Sequence, residues 1–207
     1  MSHEPIYATP AQRDHALHLG MWLFLGSETL LFAGLFALYT AFRSVYPEEF
    51  AAAFHHNSAV IGTTNTLILV VSSFFVAASI HLLKTGLRHF SMYALFAAMV
   101  LGCTFLGLKA YEYTGHLAHG IAPGPHYTFT ELPSDGARMF FTIYYAMTAL
   151  HALHVIAGLV ILGWLARRIS RRITTPERHI ELELGGLYWH LVDVVWIFLW
   201  PLLYLAG

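Results

Sequence analysis

The chain has 207 residues, 57% of them hydrophobic and 11% charged, with a mean hydropathy of +0.58 and a formal net charge of −1. That balance excludes an ordinary soluble domain, points to a polytopic membrane protein and offers no bulk attraction for nucleic acid. The one cysteine, Cys103, lies in an apolar stretch, which excludes an intrachain disulfide and a Cys-based metal site.

Residues 1–16 form a polar N-terminal segment carrying histidines and acids. It lacks a basic region leading into a short apolar core, so no cleaved signal peptide is expected. Residues 17–207 follow as one membrane domain. A span needs about 20 mostly apolar residues. Five stretches qualify: 17–42, 60–83, 90–111, 138–166 and 183–206. The expected fold is all-α, a bundle of five transmembrane helices. Lys109 falls late in the third span and is expected to snorkel toward the water interface. Residues 112–136 contain Pro123, Pro125 and Pro133 among Gly and Asp, and are expected to form an irregular external loop. No internal repeat is visible.

Basic residues set orientation. Arg13, Lys84, Arg88, Arg167, Arg168, Arg171, Arg172 and Arg178 fall on one side of a five-span path, and Arg43, Lys109 and Arg138 on the other. This asymmetry predicts a cytoplasmic N-terminus and a periplasmic C-terminus. The RRISRR run reads as a stop and orientation signal that can also meet anionic headgroups.

Five polar residues lie inside the spans. Glu28 lies roughly 16 Å into the first span at about 1.5 Å per residue. His151 and His154 lie near the middle of the fourth span, Asp193 near the middle of the fifth, and His190 slightly before it. Glu28, His151, His154 and Asp193 share one depth, which predicts a polar layer at mid-membrane with His190 slightly nearer the cytoplasm. His151 and His154 are three apart and occupy one helix face, extended by Tyr144, Thr148 and Gly158. Trp189, Asp193, Trp196 and Trp200 form a stripe on the last helix. Small residues around Gly26, Ser27 and Gly34, and around Ser72, Ser73 and Ser79, permit close helix packing.

Three readings of the layer stand on residue chemistry alone. The first is a metal or cofactor site, since Glu28, Glu112, His151, His154, His190 and Asp193 are ligand types. A di-metal bundle uses paired Glu-x-x-His motifs, which the chain lacks, and Glu112 lies about 15 Å or more from the layer. The second is transport by proton relay, against which five spans without internal symmetry argue. The third is structural: polar groups pair across helices and the bundle supports another subunit.

The same residues resemble subunit III of the haem-copper respiratory oxidases, in particular cytochrome c oxidase subunit III. The resemblance runs through GMWLFLGSETLLFAGLFALY with Ser27 and Glu28, NTLILVVSS from Asn65, and KAYEY with Glu112. It continues through FFTIYYAMTALHALHVIAG with His151 and His154, and YWHLVDVVW with Tyr188, Trp189, His190, Asp193 and Trp196. It implies a noncatalytic core subunit with no cofactor or metal of its own. Haem and copper belong to subunits I and II, cytochrome c is the donor to the complex, and a small subunit IV or a supercomplex are further partners. The complex reduces O2 to water and translocates protons. The Glu28 position is the family's buried, carbodiimide-reactive carboxyl, expected here to be protonated, hydrogen-bonded in the helix core and linked to proton uptake. The chain matches only the last five helices of the long seven-helix form, as in bacterial oxidases of the inner membrane. Phospholipid occupies a cleft in the long form. Within the resemblance, the alternatives are subunit III of a quinol oxidase and a nitric-oxide-reductase-linked accessory protein. The alternative of a different class is a membrane di-metal enzyme.

Overall fold

The computed structural model describes residues 9–205, and they are almost entirely helical. The helices are α1 (Pro10–Val45), α2 (Pro47–Phe54), α3 (Ala59–Lys84), α4 (Arg88–Ala118), α5 (Asp135–Ser170) and α6 (Ile180–Tyr204). All except α2 are long and apolar enough to cross a membrane. Residues 1–8 of the polar N-terminal segment, and Ala206 of the last expected span, lie outside the described residues. Residues 10–16 already belong to α1, opened by a capping box between Thr9 and Gln12.

Two expectations need correction. The segment from Glu112 onward is not loop at its start, because α4 continues for about two more turns to Ala118. Gly120, in the left-handed conformation at φ +79°, then ends it, and Ile121 N donates back to His116 O at 2.9 Å. Lys109 does not snorkel. With α4 extended, it lies well inside the helix and is 2% exposed. The connection after α1 also holds an unexpected short helix, α2, which buries Phe50 and Ala53.

Helices α3 and α4 pack along their lengths, α6 lies between α3 and α5, and α1 rests on α5 and α6. In its most apolar stretch half of α6 is buried, against 11% of α1. The small residues explain the closeness. Trp189 of α6 is fully buried, and a Cβ added to Gly102 or Gly158 would come within 2.8 or 2.7 Å of its ring. The tryptophan therefore sits in a slot cut by two glycines on α4 and α5.

The two ends are tied differently. At the basic end, Arg88 Nε donates to Ile169 O at 2.8 Å and its guanidinium also reaches Ser170 O. It thereby meets carbonyls of the last turn of α5, where the helix dipole favours a cation. Glu183 meets Lys84, and His179 at 3.3 Å, while Arg168 pairs with Glu181 at 2.7 Å. So Arg168 of the RRISRR run has a defined partner. At the loop end, Tyr39 Oη and Asn57 Nδ2 donate to Leu202 O and Leu203 O, each at 3.0 Å, closing the end of α6.

Candidate functional site in the polar interior

The polar interior has two levels. Toward the loop end, Lys109 and Glu112 of α4 sit one turn apart and are almost fully buried. Lys109 Nζ donates to Glu112 Oε2 at 2.8 Å and to the hydroxyls of Tyr144 and Tyr204 at 2.9 Å each. An ammonium group has three N–H donors, and all three are used. Tyr204 Oη donates onward to Glu112 at 2.9 Å. The rings of Tyr113 and Trp196 lie 5.2 and 5.5 Å from the ammonium, a cation–π setting. Tyr113 Oη and Thr148 Oγ1 bond at 2.6 Å beside it. One ion pair thus joins α4, α5 and α6.

The second level is the mid-membrane layer, and it divides. On the α1 side, Glu28 Oε2 lies 2.9 Å from His154 Nε2, with both side chains partly exposed. His154 Nδ1 lies 2.8 Å from Leu150 O. A carbonyl can only accept, so Nδ1 carries the proton. The contact of Nε2 with Glu28 then contains a single proton, shared between acid and imidazole. Whichever atom holds it, the pair is neutral overall, which suits a lipid-facing edge. Tyr188 Oη donates to His154 O at 3.2 Å from α6.

On the α3 side, His190 Nδ1 bonds to Ser73 Oγ. Asp193 is 4% exposed and lies beside Ser73, yet neither carboxyl oxygen meets a donor in hydrogen-bond geometry. Trp189 Nε1 donates to Ser72 Oγ and Trp196 Nε1 to Thr66 Oγ1, each at 3.1 Å. Asn65 is fully buried without a hydrogen-bond partner among the described residues.

His151 joins neither side. It is fully buried, with Phe32, Phe105 and Trp196 rings 6.5, 5.6 and 5.1 Å away and no partner on either ring nitrogen. The five residues therefore do not form one network: aromatic rings surround His151, and it bonds to neither the Glu28–His154 pair nor the Ser73–His190 pair. Ser27 is exposed and bonds its own helix at Phe24 O. Among the described residues no three His, Cys, Asp or Glu side chains are placed to hold one metal ion. The sequence reading missed the partnership of Lys109 with Tyr204, although Lys109 and Glu112 at i and i+3 inside one helix were visible signals.

The family model described as cytochrome c oxidase subunit III matches residues 7–207. The chain belongs to the cytochrome c oxidase subunit III family. Among its relatives is the cytochrome c oxidase subunit 3 of Bacillus subtilis (strain 168), 31% identical over 91% of this chain and 86% of the relative. The protein of the same name from Thermostichus vulcanus is 35% identical over 90% and 86%. The quinol oxidase subunit 3 of Bacillus spizizenii is 28% identical over 91% and 86%.

Proposed function

We propose that this chain is the noncatalytic core subunit III of an aerobic haem-copper terminal oxidase. It supports subunit I and its proton uptake while the complex reduces O2 to water, oxidises cytochrome c and translocates protons. Haem and copper reside in subunits I and II, and the chain lies in a bacterial inner membrane with its basic end cytoplasmic. The observation that carries the structural role is the pairing of polar groups between helices: Lys109 and Glu112 with Tyr144 and Tyr204, Glu28 with His154, and Ser73 with His190. Interhelical bonds of this kind average below about 1 kcal/mol each, so they fix position more than they add stability. Glu28 and His154 together form a pair that is neutral overall, on the proton-uptake side of this role.

A second reading, subunit III of a quinol oxidase, rests on the two Bacillus relatives named quinol oxidase subunit 3, at 28% and 27% identity. Purifying the native complex and assaying oxidation of cytochrome c against quinol separates the two. Visible absorption and metal analysis of the isolated chain test the noncatalytic role. No haem signal is expected, and stoichiometric haem or iron would sink it.

A further inference from the structure

Several serine and threonine hydroxyls on the spans return to their own helix. Ser27 bonds Phe24 O at 2.7 Å, Thr63 bonds Ala59 O at 2.7 Å and Thr104 bonds Val100 O at 2.9 Å. Such groups leave no donor facing lipid. His154 follows the same rule through Leu150 O and uses its other nitrogen on Glu28.

His190 is arranged differently. Its Nδ1 crosses to Ser73 on α3 instead of bonding the carbonyl one turn back. The ring is only half-buried, and its Nε2 has no partner among the described residues. His190 is the eleventh residue of the 25 in α6. It therefore lies about 3 Å along the axis from the helix midpoint. At that depth a bilayer presents hydrocarbon, with neither water nor headgroups to meet a ring nitrogen. The surface around it is apolar and exposed: Val70 and Phe74 on α3, Val194 and Ile197 on α6. A single polar edge inside an apolar rim at mid-depth fits another transmembrane helix, because only protein can bring a hydrogen-bonding group there.

We infer that the α3–α6 face around His190 docks a transmembrane helix of a partner oxidase subunit, which presents a polar side chain to the outward imidazole nitrogen. The inference rests on the oxidase reading above. Acyl chains do not satisfy the nitrogen, and the bond to Ser73 fixes which ring nitrogen faces outward.

The test uses the native complex. A photo-crosslinking amino acid is placed at Phe74 or at Val194, leaving His190 intact. The expected result is an adduct with a partner oxidase subunit from both positions. Adducts with lipid only, or with a second copy of this chain, overturn the inference. Independently, His190→Leu is expected to speed loss of the subunit in detergent by about threefold, the scale of one interhelical hydrogen bond. His190→Gln, which keeps a polar edge, restores retention. Equal retention of the wild type and His190→Leu also overturns it. If the wild-type chain copurifies with no haem-bearing subunit, the oxidase reading has failed. If it sits in a haem-containing oxidase and labels only lipid, the docking inference alone has failed.

Discussion

The loop-end cluster and the mid-membrane layer are both polar islands in an apolar bundle, yet they are built in opposite ways. Around Lys109, all three ammonium donors have acceptors and the pair is sealed by α4, α5 and α6. At mid-depth, Glu28 and His154 stay partly exposed, His190 keeps an open edge, and Asp193 lacks a donor. For Glu28 the difference follows helix burial: the closed cluster lies among α4, α5 and α6, whereas Glu28 stands on α1, the least buried of the five spans. Within the spans, the Lys109–Glu112 pair is enclosed by this chain, while Glu28, His154 and His190 keep edges that face outward.

The comparison makes graded predictions. Lys109→Met leaves the Glu112 carboxylate buried and unpaired, which should destabilise the isolated bundle by about 3–5 kcal/mol. Adding Glu112→Gln should recover a substantial part. Far-UV circular dichroism during denaturant-driven unfolding measures both, and an undiminished midpoint in Lys109→Met would break the contrast. Gly158→Ala pushes a methyl group into the Trp189 ring and should cost about 1–3 kcal/mol in the same assay. A neutral result would mean that the slot is not tight. Trp196→Phe removes the bond to Thr66 and should cost roughly 0.6–1.7 kcal/mol. Glu28→Gln keeps a donor toward His154 Nε2 and should change bundle stability by less than about 1 kcal/mol. A loss as large as that of Lys109→Met would place Glu28 among the enclosed charges and erase the distinction.

Much of the fold could be read from residue patterns, because an apolar run of about 20 residues is a strong signal. The five spans and their order are as expected. Helix ends were less legible. The polar run Glu112–His116 continues α4 because Glu112 and His116 fall on its buried side, something a hydropathy profile cannot register. That extension is also why Lys109 lies inside the bundle rather than at a water interface. α2 escaped notice because eight residues beginning at a proline resemble an ordinary connection. For the polar layer, rise per residue gave the depth of Glu28, His151, His154, His190 and Asp193. It could not give the direction each side chain takes around its helix. That direction decides that Glu28 meets His154, that His190 meets Ser73, and that His151 meets only aromatic rings.

The central claim is that the polar interior of this subunit supports chemistry done elsewhere in the complex. Oxygen consumption by the purified oxidase carrying Glu28→Ala tests it most directly. Assembly and the initial rate should match the wild type, with activity then lost faster during sustained turnover. A fully assembled complex with no initial activity would contradict the account and make Glu28 an obligatory proton carrier.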